Sequence, residues 1–280
     1  MVIDAIYLKP GREKSVKQRH PWIFSGAVAR VQGAPEKGST VEVFSAGGEL
    51  LGRAAYSPES NIRARMWTGR ADERVDIDFF HTRVQRAIDL RQGLAIEANT
   101  NAYRLVYAES DGLPGLIVDR YGPVLVVQSL TAGSDYWLTT LVGLLVEHTG
   151  AQQVFERSDV DVRALEGLPE RVGPLYGPPP PPRIEVAEHG LRFWADLQAG
   201  QKTGFYLDQR PNRQRVREMV AGREVLNCFA YSGAFTAYAL AGGAEQVLSI
   251  DSSAEALALG KENLALNGLP AERAEWLEAD

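Results

Sequence analysis

The stretch of this 280-residue chain that most restricts its fold runs from residue 225 to residue 251 and reads VLNCFAYSGAFTAYALAGGAEQVLSID. It consists of an apolar run, a turn of small residues, a short helical segment, a Gly242-Gly243 break and a second apolar run ending in Asp251. This order predicts a βαβ unit with two parallel strands. Ligands of parallel α/β sheets bind outside the carboxyl ends of the strands, where the turn and Asp251 both fall. The stretch therefore predicts a ligand site.

The residues of the turn limit which kinds of ligand can bind there. A dinucleotide fingerprint needs three glycines so that the backbone can approach a pyrophosphate. This turn has only Gly233, and Tyr231 stands where a paired glycine would fall. Asp251, at the end of the second strand, is placed to accept hydrogen bonds from ribose hydroxyls. We therefore expect an adenosine ligand without a diphosphate, which favours S-adenosylmethionine over NAD or FAD. The pattern alone is also compatible with a turn that has only a structural role and binds no ligand.

The segments that follow extend the unit. The sequence SSAEALALGKENLALNGL predicts a helix that begins with a capping box of Ser252 and Glu255 and stops at Asn267-Gly268. The sequence AEWLEAD then predicts a third strand that ends at Asp280. An acid at that position is expected to reach the adenine amino group.

Five consecutive prolines at 178–182 mark the clearest domain boundary, because such a run forms a stiff extended spacer. Residues 183–280 hold the βαβ unit, preceded by a predicted hairpin that turns at His189-Gly190. Residues 73–182 predict an α+β domain, with a first helix whose apolar face is formed by Phe79, Val84, Ile88 and Leu90 and which ends near Gly93.

Residues 1–72 predict a small β-rich module. A strand, a Gly47-Gly48 turn and a second strand indicate a hairpin, and NIRARMW alternates as a half-buried strand does. The fold class is therefore multidomain, with α/β and α+β parts.

Charge distribution indicates where a polyanion would bind. The chain carries a net charge of −6, yet its first 70 residues carry +5. A basic segment on an acidic protein is typical of a local polyanion site or of a solvated face. Lys17, Arg19 and His20 lie beside Trp22 and Phe24, a mixture that suits RNA. We expect the two aromatic side chains in a small core and the basic ones facing outward.

Cysteine and histidine usage excludes several kinds of site. Cys228 is the one cysteine, so neither an internal disulfide nor a cysteine-rich zinc site is possible. The four histidines are scattered without ligand spacing, so no metal is expected. The first twenty residues lack the apolar core of a leader, and a reducing compartment suits a lone cysteine. The cytoplasm is the expected location.

Five motifs carry a family resemblance: RHPWIFSGAV, AESDGLPGLIVDRYG, GQKTGFYLDQRPNR, VLNCFAYSGAFTAYAL and DSSAEALALGKENLALNG. They resemble the RlmI-like family of S-adenosylmethionine-dependent methyltransferases, which form 5-methylcytosine in large-subunit (23S) ribosomal RNA. The resemblance covers essentially the whole chain. It implies an N-terminal PUA-like RNA-binding domain, a central α+β domain, a Rossmann-like class I methyltransferase domain and S-adenosylmethionine as cofactor.

The resemblance also implies the roles of individual residues. Asn227 to Gly233 form the methionine-side loop, Asp251 is the ribose acid and Asp280 the adenine acid. The cofactor-binding residues so implied are Asp208, Arg210, Asn227, Phe229, Ala230, Tyr231, Ser232, Gly233, Asp251 and Asp280. Candidate RNA contacts are Lys17, Arg19, His20, Arg210 and Arg213. Ribosomal RNA is the expected partner, and a homodimer is left open.

The catalytic group is the missing part of this pattern. Methylation of cytosine C5 uses a cysteine thiolate that adds to C6, and in the resembled family this cysteine and an Asp-Pro-Pro motif follow the adenine acid. Residues 1–280 contain neither, so we expect them to be part of a longer chain, with the methyltransferase domain incomplete and no catalytic residue present. Such a domain would leave its first strand as a bare apolar edge. Cys228 is expected to be a small buried residue.

Two other functions are alternatives for this sequence. A non-catalytic RNA-binding protein, for example in ribosome assembly, would use the basic N-terminal module alone. An NAD-dependent oxidoreductase is disfavoured by the glycine count of the turn.

Overall fold

Residues 4–280 are described by a computed structural model, and the backbone divides into two units. The first unit consists of the residues up to Ala95 together with Arg104–Pro180, and the second of Ile96–Tyr103 together with Pro181–Asp280. The division after Pro180 falls inside the proline run. Across residues 4–280, no helix has the length and apolarity that a membrane crossing requires.

A mixed six-stranded sheet forms the N-terminal part of the first unit. Its elements are β1 (Ala5–Leu8), α1 (Glu13–Lys17), β2 (Trp22–Phe24), β3 (Val28–Gln32), β4 (Thr40–Phe44), β5 (Leu50–Tyr56) and β6 (Ile62–Thr68). The strand order is β2-β6-β5-β4-β1-β3, so β2 lies at one edge. The predicted hairpin is confirmed between β4 and β5, where Gly48 has a φ of +85°, a value that favours glycine.

The strand β6 departs from the expected half-buried alternation, because both of its faces are covered. Ala64 is buried as expected, but Arg65 and Trp67 on the opposite face are buried too. Arg65 donates to Glu166 Oε1 at 2.8 Å, and the indole of Trp67 packs edge-on against Phe80 with ring centroids 5.1 Å apart. Residues elsewhere in the same unit, Glu166 and Phe80, thus cover the face of β6 that the alternating pattern predicts to be exposed.

The expectation that Trp22 and Phe24 fill a core is wrong. Their side chains are 37% and 48% exposed, whereas Ile23 between them is buried in the apolar cluster beneath the sheet. Successive residues of a strand point to opposite faces, so only one face of β2 can reach that cluster. The aromatic residues occupy the other face.

The rest of the first unit is a five-stranded sheet with three helices; residues 102 and 103, which begin one of its strands, fall in the second unit. Its elements are α2 (Ile77–Gly93), β7 (Ala102–Tyr107), β8 (Leu116–Tyr121), β9 (Val124–Ser129), α3 (Ala132–Tyr136), α4 (Leu138–Thr149), β10 (Gln153–Ser158) and β11 (Arg171–Tyr176), in the order β11-β10-β9-β8-β7. On α2, Phe79, Val84 and Ile88 are buried as predicted, but Leu90 is exposed. Phe80 and Ala87 complete the buried face in its place.

Glu166 links several segments of the first unit through its carboxylate. It accepts hydrogen bonds from Ser57 Oγ at 2.6 Å, Arg65 Nη1 at 2.8 Å and the backbone N–H of Ala132 at 3.2 Å. Burial raises the pKa of Glu166, but the charge of Arg65 and the hydrogen bonds of its neighbours more than offset this, so the pKa lies below 4.5. The folded unit therefore favours the ionised form.

We expect Glu166→Gln to lower the free energy of unfolding of the first unit at neutral pH by about 1.5–3 kcal/mol, because hydrogen bonds to a charged group are lost. A carboxyl group whose pKa is lower in the folded state than in the unfolded state stabilises the fold at pH values above its unfolded pKa. This contribution is lost as the pH falls through the folded pKa. The wild-type unit should therefore lose stability below about pH 4.5, and the variant should lose less. Urea unfolding at several pH values measures both; parallel pH profiles would contradict this assignment.

The second unit contains a hairpin and a parallel α/β sheet. Its elements are β12 (Arg183–Glu188), β13 (Leu191–Asp196), α5 (Arg210–Met219), β14 (Glu224–Cys228), α6 (Ala234–Ala241), β15 (Gln246–Asp251), α7 (Ala254–Leu266) and β16 (Ala274–Glu278). The parallel order β14-β15-β16 confirms the predicted βαβ unit and third strand. This sheet brings the carboxyl ends of three strands together.

Two turns of this unit test the sequence patterns. His189 and Gly190, with φ of 48° and 81°, confirm the predicted hairpin turn. Helix α7 begins one residue later than predicted: Ser253, not Ser252, is the cap, and its Oγ accepts the backbone N–H of Ala256 at 3.2 Å. Asn267 ends the helix as predicted.

The strand β14 is the edge of its sheet among the described residues, as expected. Leu226 and Cys228 on this strand are exposed, and Phe229 directly after it is 89% exposed. The expectation that Cys228 is buried is therefore wrong. Side chains of a strand point out of the plane of the sheet, and the face of β14 that carries Leu226 and Cys228 is left uncovered by the residues that the structure describes.

Candidate cofactor site

The candidate site lies at the carboxyl ends of β14 and β15. The two strands are parallel with Cys228 paired to Ile250, so the turn at 229–233 and Asp251 begin at the same level of the sheet. The N–H of Ala230 donates to the carbonyl of Ile250 at 2.9 Å, which holds the turn against β15. The fold therefore brings together the two features that the sequence singled out.

The turn has an unusual backbone conformation. Phe229 and Tyr231 have φ of 58° and 46°, and Gly233, which precedes α6, has φ of 69°. A positive φ costs free energy at residues with a side chain, and such residues concentrate at ligand sites. The turn is stabilised by a bond from the N–H of Gly233 to the carbonyl of Ala230 at 2.9 Å.

Asp251 organises the site through both of its carboxylate oxygens. Oδ2 accepts the N–H of Tyr231 at 2.8 Å, and Oδ1 accepts the N–H of Ser253 at 2.9 Å. A carboxylate has about four acceptor positions, so these two bonds leave capacity for hydroxyl donors. The side chain is thus held in place and is still able to accept from a ribose.

The polar side chains of the turn have different surroundings. Asn227 donates to Thr236 Oγ1 at 2.9 Å, and Thr236 lies 2.7 Å from Ser249 Oγ, so this amide joins the strands to α6. Ser232 is buried, and its Oγ has no hydrogen-bond partner within residues 4–280. A buried hydroxyl without a partner is costly. A bound ligand could supply the hydrogen-bond partner that the hydroxyl of Ser232 lacks.

The segment 200–206 contacts the turn through Tyr231. The phenol oxygen of Tyr231 accepts the N–H of Gln201 at 3.1 Å, and its ring meets the ring of Tyr206 edge-on at 5.3 Å. Burial raises the pKa of Tyr206, and the charges of Asp208 and Asp251 raise it further. The sequence pattern missed Gln201 and Tyr206, although both lie within or beside the motif GQKTGFYLDQR.

Asp208 and Arg210 follow this segment. Asp208 is exposed and pairs with Lys202 Nζ at 3.2 Å. Partial burial raises the pKa of Asp208, but the hydrogen bond and charge of Lys202 outweigh it and hold the pKa below its ordinary value. Arg210 donates to the carbonyl of Ala102 at 3.4 Å.

Asp280 lies just beyond β16 and is exposed. The N–H of its neighbour Ala279 donates to the carbonyl of Asp251 at 3.1 Å, which brings the end of this segment beside Asp251. Asp251 and Asp280 therefore both lie at or just beyond the carboxyl ends of strands of this sheet.

The prediction that Arg213 contacts RNA is wrong, because its side chain is buried. Its side chain is 1% exposed and forms a double hydrogen bond with the fully buried carboxylate of Glu188, at 2.7 and 2.8 Å. A guanidinium enclosed in this way cannot reach a phosphate. The spacing of arginines on α5 does not reveal this burial, because Glu188, the partner of Arg213, lies 25 residues upstream on β12.

The basic candidates of the first unit are accessible. Lys17 is half exposed and pairs with Glu49 at 2.6 Å; this hydrogen bond raises the pKa of Lys17. Arg19 has a φ of 65°, and the next residue, His20, accepts the N–H of Trp22 at its Nδ1, 3.1 Å away. All three lie on or just after α1.

Comparisons with known proteins agree with this geometry. Residues 6–69 match a family model described as a PUA-like domain, and residues 174–280 match one described as an S-adenosylmethionine-dependent methyltransferase. The fold and site thus define an S-adenosylmethionine-dependent methyltransferase domain preceded by a PUA-like domain. S-adenosylmethionine is its cofactor, and the NAD alternative is set aside.

Relatives define the family more narrowly. Over 275 residues the chain is 46% identical to ribosomal RNA large subunit methyltransferase I of Erwinia tasmaniensis, and 47% identical to the protein of that name from Shewanella amazonensis. Each match covers 98% of this chain and 69% of the relative. The chain belongs to the ribosomal RNA large subunit methyltransferase I family.

Solved structures share the fold. A candidate S-adenosylmethionine-dependent methyltransferase from Streptococcus mutans superposes with a TM-score of 0.83 at 23% identity, covering 99% of this chain and 70% of that one. A candidate methyltransferase solved in complex with S-adenosylhomocysteine superposes with a TM-score of 0.85 at 23% identity, covering 100% of this chain and 70% of that one.

The residues present fit the cofactor. Ser232 has a buried hydroxyl without a partner within residues 4–280, and the carboxylate of Asp251 has spare acceptor capacity. S-adenosylmethionine has hydroxyl donors on its ribose and charged groups at its methionine end, and it lacks the pyrophosphate that would need further glycines.

We expect Asp251→Asn to weaken S-adenosylhomocysteine binding about tenfold or more. The amide loses the negative charge and turns one acceptor into a donor that faces the N–H of Tyr231 or Ser253. Isothermal titration measures the change. Glu245→Gln, an exposed position just before β15, is the matched control and should bind as the wild type does. Equal affinities for both variants would remove Asp251 from the site.

Proposed function

We propose that this chain supplies the cofactor-binding and RNA-binding parts of an enzyme that methylates cytosine C5 in large-subunit ribosomal RNA. The supporting observation is the combination, in one chain, of a methyltransferase site built around Asp251 and a basic PUA-like module. The names of the relatives support ribosomal RNA as substrate. The choice of cytosine C5 rests on the family resemblance of the motifs, and a cytoplasmic location goes with this substrate.

The site residues have distinct proposed roles. Asp251 accepts the ribose hydroxyls, Asp280 the adenine amino group, and the turn from Asn227 to Gly233 binds the methionine end. Asp208 and Arg210 close the pocket on the side of the segment 200–206. The bound cofactor supplies a methyl group on a positively charged sulfur, which is activated toward nucleophiles.

Cytosine C5 is a weak nucleophile until a thiolate adds to C6, and the base must leave its stack to be reached. Cys228 is exposed beside the turn, yet the resemblance assigns the thiolate to a cysteine downstream of the adenine acid. We therefore expect Cys228→Ala, in the protein as its gene encodes it, to retain methyl transfer. Transfer of labelled methyl groups to ribosomal RNA measures this, and loss of transfer with cofactor binding intact would make Cys228 the nucleophile.

The function is tested by comparing nucleosides of large-subunit ribosomal RNA from cells with and without the gene. Mass spectrometry is expected to show the loss of one 5-methylcytosine, restored when the gene is returned. The loss of a different methylated nucleoside would contradict the choice of cytosine C5. Unchanged nucleosides together with defective particle assembly would favour a non-catalytic RNA-binding function.

A further inference from the structure

Two exposed aromatic side chains lie next to each other on the edge strand β2. Trp22 and Phe24 share the outer face of this strand, with ring centroids 6.4 Å apart and planes at 84°. Scattered apolar residues on a surface need no explanation, but adjacent large rings beside basic groups indicate an interaction site. They belong to the first unit, whereas the residues of the candidate cofactor site described above belong to the second.

The indole of Trp22 is fixed before any ligand arrives. Its Nε1 donates to Glu109 Oε1 at 2.8 Å, and the ring of His20 meets it edge-on at 5.9 Å. Glu109 in turn lies 3.9 Å from the guanidinium of Arg65, which it shares with Glu166. An aromatic side chain that is already ordered loses little conformational entropy when a ligand stacks on it.

A small cavity opens beside these rings. Its volume is about 230 Å³, and its lining includes Arg12, Ser15, Trp22, Phe24 and Gly26. A water molecule occupies about 30 Å³ in the liquid, so the cavity has the scale of one nucleobase and excludes a duplex. It offers ring surface together with a guanidinium and a hydroxyl.

The charge around the cavity suits a phosphate backbone. Arg12 lines it, and Lys9 lies at its rim, where its Nζ donates to the carbonyl of Gly26 at 2.9 Å. Helix α1 next to it carries Lys14 and Lys17 against a single acid, Glu13. Glu49, paired with Lys17, and Glu109, bonded to Trp22, are the other acids nearby, so the four basic side chains still outnumber the three acidic ones. A net positive surface is expected for a polyanion and not for an apolar peptide.

From these observations we propose that the Trp22–Phe24 pair and the adjoining cavity bind one unpaired nucleotide of RNA, whose base stacks on the rings while Arg12 contacts its phosphate. Only an unpaired base presents both of its faces to aromatic side chains. This inference rests on the proposed function in taking RNA as the partner, and it selects a single-stranded part of that RNA.

The test compares binding of a short single-stranded RNA oligonucleotide and of the matching hairpin duplex by fluorescence anisotropy. Phe24→Ala is expected to weaken single-strand binding about tenfold and to leave duplex binding nearly unchanged. Phe24→Tyr keeps a ring and should bind as the wild type does. Arg12→Gln should reduce the dependence of the logarithm of affinity on the logarithm of salt concentration by about 0.7.

Tyr176→Ala is the matched control, because Tyr176 is an exposed aromatic residue of the same unit on β11. It should leave RNA affinity unchanged. S-adenosylhomocysteine affinity should be equal in every variant, so a failure of the methyltransferase proposal would appear in that titration or in the nucleoside analysis and not in these RNA measurements.

Three outcomes would overturn the proposal. The first is single-strand affinity that does not change in Phe24→Ala. The second is an equal loss for single strand and duplex, which would indicate shape recognition of a helix. The third is a wild-type homodimer that Phe24→Ala converts to monomers with unchanged RNA affinity, which would make the aromatic pair a protein contact.

Discussion

Glu188→Gln should lower the free energy of unfolding of the second unit by about 3–5 kcal/mol, because it leaves the guanidinium of Arg213 buried without its counter-charge. Arg213 also lies 4.8 Å above the ring of Phe205 and donates to the carbonyl of Tyr206 at 3.0 Å, so it cannot turn to solvent without disturbing its surroundings. Tyr238 loses a charged acceptor as well, since its hydroxyl donates to Glu188 Oε1 at 2.9 Å.

The measurement is hydrogen exchange of the β12, β13 and α5 amides as a function of urea, because a chain with two units is not expected to unfold in one step. Glu185→Gln is the matched control: it lies on the same strand and pairs with Arg192, but both side chains are exposed. Its expected cost is below about 1 kcal/mol.

A double variant separates the buried charge from the packing. Glu188→Gln combined with Arg213→Met removes both charges and keeps similar volumes, so most of the lost stability should return. If the single variant cost no more than the exposed control, the pair would not have the energetic role that its burial implies.

The parallel sheet, with the turn and Asp251 at one end of it, was predictable because it depends on local sequence. Apolar runs, the Gly242-Gly243 break and the acid at the end of a strand each act within a few residues, and the parallel pairing of β14 and β15 followed from them. The hairpin turn at His189-Gly190 is equally local, since it depends on two residues that accept a positive φ.

The environment of single side chains was less predictable because it depends on distant residues. Arg213 resembles its exposed neighbours on α5 until Glu188 is placed beside it. Trp22 and Phe24 are residues that usually fill cores, and only the pairing of β2 at the edge of its sheet shows that their face is open. In both cases the deciding contact spans elements that no short pattern connects.

Gly233→Ala tests the turn of the cofactor site directly. A Cβ at this position would lie 2.6 Å from the ring of Trp276 and 3.0 Å from the Cα of Gly260, and the φ of +69° would add backbone strain. Overpacking costs about 1–3 kcal/mol, and the strained backbone about 1 kcal/mol more. We expect a lower melting temperature and at least a tenfold loss of S-adenosylhomocysteine affinity, because the turn must move to relieve the contact.

Gly260→Ala separates the two causes. Its Cβ would meet the same ring of Trp276 at 2.6 Å, but Gly260 lies inside α7 with ordinary helical φ. Adding Trp276→Leu should therefore restore most of the stability lost in Gly260→Ala and only part of that lost in Gly233→Ala, since a smaller side chain removes the clash with the ring but leaves both the backbone contact with Gly260 and the strain at 233. Equal restoration in both backgrounds would mean that the positive φ of Gly233 carries no cost. The conformation of the turn would then not be what reserves this position for glycine.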